Sequence, residues 1–550
     1  PINACSIERA LIHLERRMEN ASPPCCISQL VIPMYDCPED ETGTCLELEV
    51  NGSMSLPTER TPDPSSTWLK VGSMEHIRKE DTTWNDVKFF PFSHLAPALE
   101  DMRGTAAICG GNKIWMIKMD PAQDKCHLIH EVIDKSNTVT GGRTEVFHTI
   151  SWSVDPVSLQ PILAAAGIRG VVKIFHGRTA TELGMMYGHG GTILALAFSL
   201  THPHILATAS VDYTIRIWNT SLLLKPSHTR PDSKSQPLLP NWDNPPGQLV
   251  TILAGVGGHT APVCSLAWHS VHPLLATGGM DNHVKVWYLP MLPGFPANSP
   301  LQDTRLPESL QTVDPHPPET SQPAPITSLP IFNSKHVHSH WVDQIIWAGR
   351  LTPVIVSKSS IICKQSRHPF ASYASEQDLE PATSVCVWQP SILEDMFVDQ
   401  SGPSEPQEHE ANLGGVDFEI EASFKVRKLG LDEERESVEW GLGMCLAQTQ
   451  LEGSGRLDLA LLVANHPDGI AEFPLNSRQS SPPSAAAPAV ILHPSSPRKD
   501  QPNGEEGQGI FRAIDATPTV LGNKPAFLIR VGQNTAIELW RREFPPRTYQ

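Results

Sequence analysis

Apolar and polar residues follow the same order along two stretches of this chain. Gly188-His189 leads into TILALAFSLTHPHILATASVDYTIRIWN, and Gly258-His259 into APVCSLAWHSVHPLLATGGMDNHVKVWY. Each stretch has a Gly-His pair, an alternating apolar run, a loop with His-Pro, a second apolar run, an Asp in a tight turn and a third run ending in Trp. A period of two puts every second side chain on one face, so each stretch predicts three short antiparallel strands. Weaker copies of the plan flank this pair. Upstream they are VKFFPF with AAICGGNKIWMIKM, and VFHTISW with ILAAAGIRGVVKIF. Downstream they are HWVDQIIWAG with VIVSKSS and TSVCVWQP, then WGLGMCLA with LALLVANHPDGIAEFPL, then IFRAIDATP with AFLIRVGQNTAIELWRRE. Seven units result, and the predicted fold class is all-β.

The Gly-His pair, the Asp turn and the closing Trp resemble the WD repeat. The spacing has a physical purpose: the Asp can accept a hydrogen bond from the imidazole, which is held by a strand hydroxyl and the indole, so buried polar groups satisfy one another. In the first unit the candidates are His189, Asp212, Trp218 and either Ser210 or Thr208; in the second they are His259, Thr277, Asp281 and Trp287. They are read as struts of the fold. A ring of seven such units needs about 300 residues, so a chain of 550 must carry long insertions. The predicted architecture is a seven-bladed WD-repeat β-propeller over residues 79–545. Its blades fall near 79–120, 142–178, 186–221, 256–290, 336–390, 430–475 and 508–545. Pro- and Ser-rich inserted loops fall at 222–247, 291–330, 361–383, 396–415 and 474–508. Residues 1–78 read as a largely irregular tail with one amphipathic helical start, SIERALIHLERRMEN.

A hydrophobic fraction of 40% supplies a core, and 51 prolines place much of the remainder in loops. The net charge of −18 repels phosphate backbones, so direct nucleic-acid binding is not expected and basic partners suit the surface better. Eleven cysteines include no CxxC pair, which points to a reducing compartment without zinc. No run approaches the roughly 18 apolar residues that span a bilayer, so a soluble intracellular protein is expected, with no membrane partner.

From residue 79 onward, the order of motifs resembles the EED family, known in flies as Extra sex combs, the WD-repeat subunit of Polycomb repressive complex 2. The runs that carry the resemblance are AAGIRGVVKIF followed by YGHGGTILALAF, then LVTILAGVGGHTAPVCSLAW, GGMDNHVKVW, WVDQIIWAGRLTPVIVSKS and CVWQP. It thins in the last two units and is absent from the tail and the insertions. The resemblance implies a non-catalytic nuclear scaffold with no cofactor. Its implied partners are an enhancer-of-zeste-type SET-domain methyltransferase, other subunits of that complex and the histone H3 tail. It also implies a trimethyl-lysine cage of aromatic rings at the mouth of the central channel. Here the cage positions fall on Asn85, with Trp84 one place earlier, on His148, and near Trp440 and Gly441. The cage is thus degenerate, and methyl-lysine reading is expected to be weak or lost. A cage rearranged around Trp84, His148 and Trp440 is the alternative. Arg512 matches an arginine near the channel mouth.

The common hydrolase, nucleotide and zinc motifs do not occur, so an enzyme is not expected. AGVGGH at 254–259 imitates a phosphate loop, but no helix-forming segment follows it. His336, His338 and His340 would share one face of a strand, as a metal site requires, whereas the family alignment makes His338 the Gly-His histidine of the fifth unit. The acidic run 432–437 reads as solvated loop. A WD-repeat adaptor outside chromatin, such as a ubiquitin-ligase substrate receptor or trafficking scaffold, is the competing function.

Overall fold

The computed structural model describes residues 67–73, 82–93, 95–120, 125–135, 144–221, 248–290, 292, 324–348, 353–360, 383–393, 418–426, 444–450, 457–464, 470–474, 490–492, 511–517, 527–532 and 537–543. The chain divides into two units, Pro1–Arg60 and Thr61–Gln550. The first, with its helical start, lies outside the described residues, as do the acidic run 432–437, Trp440 and Gly441.

Strands dominate the described residues, and they form seven sheets. Strand β1 is Thr67–Ser73. Sheet I holds β2 (Trp84–Phe89), β3 (Thr105–Gly110), β4 (Lys113–Asp120) and β5 (Lys125–Ile133). Sheet II holds β6 (Phe147–Val154), β7 (Pro161–Gly167), β8 (Val172–His176) and β9 (Glu182–Met186). Sheet III holds β10 (Ile193–Phe198), β11 (Ile205–Ser210), β12 (Ile215–Asn219) and β13 (Gln248–Leu253). Sheet IV holds β14 (Val263–Trp268), β15 (Leu274–Gly279) and β16 (Val284–Tyr288). Next come β17 (Ile326–Thr327), which joins sheet III, and β18 (Phe332–Ser334), which completes sheet IV. Sheet V holds β19 (Trp341–Trp347), β20 (Ile355–Ser360), β21 (Thr383–Pro390) and β22 (Phe418–Val426). Sheet VI holds β23 (Met444–Gln450), β24 (Leu457–Ala464), β25 (Ile470–Pro474) and β26 (Val490–Leu492). Sheet VII holds β27 (Phe511–Ala516), β28 (Phe527–Gly532) and β29 (Ile537–Glu543), with β1 antiparallel to β29 as its outer strand. The architecture is an all-β propeller.

Composition follows position in the ring. The second strands β7 (PILAAAG), β11 (ILATAS) and β15 (LLATGG) are buried at every residue, because a sheet lies against each of their faces. Small residues let those sheets approach to their usual spacing of about 10 Å. The cores lie between sheets: Phe90, Phe147, Trp152 and Phe175 between I and II, and Trp268, Leu275 and Trp287 between III and IV.

The first strands pack against one another around the ring, β27 on β2, β2 on β6, β6 on β10, β10 on β14 and β14 on β19. A short side chain at most junctions accepts a backbone N–H from the next sheet. Asp515 accepts from Phe89 (2.6 Å), Asp86 from Ile150 (3.1 Å), Ser151 from Phe198 (3.0 Å) and Ser265 from Ile345 (2.9 Å). Gln344 bonds both ways with the Met444 backbone at 2.8 Å, which ties sheet V to sheet VI. Indoles return the contact: Trp152, Trp268 and Trp347 donate to the carbonyls of Lys88, Ala197 and Ala267. Backbone groups that no ladder reaches are thereby paired.

The three-strand units of the sequence reading each gain a fourth, outer strand. β5 and β9 fall in gaps between the expected blades. β17 and β18 lie in or just beyond the expected loop 291–330, and β26 lies within the expected loop 474–508. β1 lies within the expected tail. Outer strands have one face half in water: β5 alternates exposed and half-buried residues over its whole length, so no apolar run marks it.

A candidate peptide-binding face at the channel mouth

Two chains of buried polar groups brace sheets III and IV. In sheet III, Trp218 Nε1 donates to Thr208 Oγ1 (2.9 Å), Thr208 lies 2.7 Å from His189 Nε2, and His189 Nδ1 lies 2.9 Å from Asp212. In sheet IV the corresponding distances are 3.1 Å from Trp287 to Thr277, 2.9 Å from Thr277 to His259 and 3.0 Å from His259 to Asp281. One assignment satisfies every group: indole donates to hydroxyl, hydroxyl to Nε2, and Nδ1–H to carboxylate. Burial opposes charge throughout. It lowers the pKa of His189 and His259, while the imidazole contacts and nearby backbone N–H groups still hold the Asp212 and Asp281 carboxyls below the usual range.

Of the two candidate hydroxyls in sheet III, Thr208 takes the role and Ser210 does not. Both lie on one face of β11, but Ser210 is at the turn, where its Oγ accepts from the Asp212 N–H at 3.2 Å. Only Thr208 is two residues along from Leu206, the register partner of Trp218, and so within reach of its indole. Sheet V has a counterpart around His338, the histidine that the family alignment sets at the Gly-His position: Trp388 donates to Ser357 (2.8 Å), and Ser357 lies 2.7 Å from His338 Nε2. Ser384, 3.3 Å from Nδ1, stands where the carboxylate does elsewhere. The residues around His336, His338 and His340 are bends rather than strand, with His338 buried and His336 exposed; they share no face. In sheet VII a buried Arg530 takes the hydroxyl's register position, ion-paired to Glu538 and stacked 5.2 Å from the Trp540 ring. Trp388 and Trp540 lie in third strands, as Trp218 and Trp287 do, and counting back from them points to the hydroxyl or its replacement in both sheets.

These buried histidines set an acid limit. Burial, reinforced by Lys358, holds His338 down at about 3, and burial holds His202 down at about 4. The unfolded imidazole titrates near ~6.5. The folded state therefore binds these protons more weakly; the stability is fully present above pH ~6.5 and is lost as pH falls toward the folded values. Each histidine contributes a slope of about 1.4 kcal/mol per pH unit within that window. Chemical denaturation between pH 7 and 5 is expected to show a steep fall, less steep by one proton in His338→Asn. An unchanged slope in that variant would place the titration elsewhere.

Six first strands carry a bulge at the same register, and the extra residue is Asn85, His148, Leu194, Cys264, Asp343 or Arg512. A bulge re-aims a side chain at a sheet's rim, and the shared register sets these six positions, among the described residues, at one end of the ring of sheets. The six are uneven. Asn85 Nδ2 donates to the Phe147 carbonyl at 2.7 Å. Leu194 and Cys264 are buried with Met280 and Trp341. Asp343 is buried in an ion pair with Lys358. A cleft of about 350 Å³ lies between β5, β8 and β9, with Phe147, Phe175 and Lys173 among its walls and Arg169 and Lys135 at its rim. Lys173 is paired there with Asp134 at 2.8 Å.

Residues 180–219 and 247–288 match the WD domain, G-beta repeat family. The Polycomb protein esc of Drosophila melanogaster is 28% identical over 283 residues, covering 51% of this chain and 56% of that protein. The Polycomb protein EED of Chaetomium thermophilum is 28% identical over 284 residues, 51% of this chain and 40% of that one. The chain is an EED-like WD-repeat protein. The match spans about half the length of these relatives. The fold extends further: a chain of the Chaetomium thermophilum Polycomb Repressive Complex 2 bound to GSK126 superposes with a TM-score of 0.56 at 18% identity, covering 87% of this chain and 99% of that chain. In the EED-like chain, two of the cage positions, Asn85 and His148, do lie on bulges at neighbouring sheets. Trp84 does not join them. It is fully buried, its ring centroid 4.6 Å from that of Trp115, in the core between sheets VII and I. It stands one residue before the bulge, so its side chain leaves the opposite face. A cage rearranged around Trp84 is therefore not formed. Trp440 lies outside the described residues, and so does the side chain of Arg512.

Proposed function

We propose that this chain is a non-catalytic scaffold subunit of a Polycomb-type histone H3 methyltransferase complex in the nucleus. It would hold the SET-domain subunit and other members of the complex while that subunit does the chemistry. The observation that carries this reading is the likeness to two proteins named as Polycomb proteins, spread over half the chain. We read the seven sheets as seven blades, with domain limits as the strands set them, and the buried polar chains at His189, Thr208, Asp212 and Trp218 and at His259, Thr277, Asp281 and Trp287 as its struts. A closed ring suits a scaffold because it hides sheet edges and presents rigid faces to extended peptides. Affinity purification of the tagged chain from its own cells tests the reading. Recovery of a SET-domain methyltransferase is the expected result; recovery of ubiquitin-ligase or trafficking subunits without one would overturn it.

Methyl-lysine reading is weak or lost in this proposal. A quaternary ammonium is held by ring faces, and the bulge positions supply an amide at Asn85 and an imidazole at His148. Titration with a trimethyl-lysine histone H3 peptide is expected to show little binding. The double variant Asn85→Phe/His148→Tyr is expected to bind about ten-fold tighter or better, at roughly 1 kcal/mol for each ring restored. Tight binding by the unaltered chain would refute the loss.

A further inference from the structure

The glycine-rich run at 254–258 belongs neither to the struts nor to the channel mouth, yet it has an occupant. Among the described residues, sheet III alone has a fifth strand: β17 pairs in parallel with β13, Ile252 against Ile326 and Leu253 against Thr327. The segment that carries β17 connects β16 to β18, both in sheet IV, so it leaves its own sheet to lie along its neighbour's outer edge. Its carbonyls accept from that edge: Ile252 N–H reaches the Pro325 carbonyl at 3.0 Å, Ala254 N–H that of Thr327 at 3.2 Å, and Gly257 N–H that of Ser328 at 3.0 Å. The Thr251 hydroxyl donates to the Pro325 carbonyl at 2.9 Å and lies 3.0 Å from the Thr327 hydroxyl.

The turn is shaped for this approach. A Cβ on Gly257 would stand 2.3 Å from the Ser328 carbonyl oxygen, and Gly255 has a φ of 93° with Ser328 directly beside it. Only glycine leaves that room. Apolar burial does not hold the segment, since Ile326 is 66% and Leu329 49% exposed; backbone pairing does. The unpaired N–H groups of an outer strand take up any extended chain that reaches them.

We propose that the outer edge of β13 and the turn 254–258 form a strand-receiving site that this chain fills in cis with its own residues 324–330, closing sheet III to extended segments of other chains. The ligand class is an extended peptide in parallel register that offers alternate carbonyls and lays its backbone against Gly257. The tethered segment wins by its high effective concentration.

Two variants of the full chain test this, with amide exchange at Ile252 and Ala254 and a labelled synthetic peptide of residues 321–331 as probes. Thr327→Pro weakens the cap by taking an N–H out of it; Gly257→Val fills the seat. In the unaltered chain both amides should be protected and the peptide should not bind. In Thr327→Pro the amides should exchange about ten-fold faster or more and the peptide should bind in trans. In Gly257→Val the amides should exchange and the peptide should not bind. Amides that stay protected in both variants, or a Thr327→Pro chain that exposes them and still ignores the peptide, would overturn the proposal. The pair Thr251→Cys/Thr327→Cys guards against misfolding: it should cross-link under mild oxidation with the amides still protected, and failure to cross-link in a folded chain would also overturn it.

Discussion

Thr277→Val is expected to lower the unfolding free energy by about 2–5 kcal/mol, because one hydroxyl serves two buried partners. The substitution keeps the shape and removes the oxygen that receives the Trp287 indole and faces His259 Nε2. Trp287 and Thr277 are fully buried and His259 nearly so, so no water replaces it. Each orphaned group costs roughly 1–3 kcal/mol. Thr208→Val in sheet III should show a loss of the same order, and Ser210→Ala, which gives up one turn contact, about 1 kcal/mol or less. Urea denaturation of the three variants side by side ranks them. If Ser210→Ala is the more damaging of the two sheet III changes, the indole is not braced by Thr208.

A chain beginning at residue 75 is expected to lose about 3 kcal/mol or more relative to one beginning at residue 61, by exposing a core-bearing edge. The longer chain keeps β1, whose residues pair with β29 from Thr67 against Glu543 to Ser73 against Glu538. Without it the edge of sheet VII is open beside Trp540, which is fully buried, and the sheet that joins the end of the ring to its beginning is one strand short. At roughly 2–4 °C per kcal/mol for a large domain, melting should fall by several degrees, with aggregation following from the bared edge. Equal melting of the two chains would show that β1 does not close the ring.

The struts were legible because their chemistry is local in spacing. His189 to Asp212 and His259 to Asp281 span one hairpin pair, and the types involved have few other reasons to recur together. The choice between Ser210 and Thr208 was not legible: both lie on one face two residues apart, and only the register against Trp218 separates them. β1 was hidden for a different reason, since its partner lies at the far end of the sequence. The outer strands β5 and β9 carry polar residues on a wetted face and show little pattern. At the channel mouth the sequence could place Trp84 beside Asn85 but not show that a bulge begins between them and turns one outward and leaves the other in the core. The glycines of 254–258 suggested a turn; the segment they receive comes from some 70 residues further on.

The pairing of Thr67 with Glu543 has a topological meaning. The polypeptide has a first residue and a last, but the ring has neither, and the two ends of its path meet side by side on one strand pair. Sheet VII is the last sheet only in the order of the sequence. A circularly permuted sequence, with a short linker from 543 to 67 and new ends opened within 222–247, would trace the same ring with its seam moved to the β12–β13 pair of sheet III, and would turn the closure at sheet VII from one made by hydrogen bonds into one made by a peptide bond.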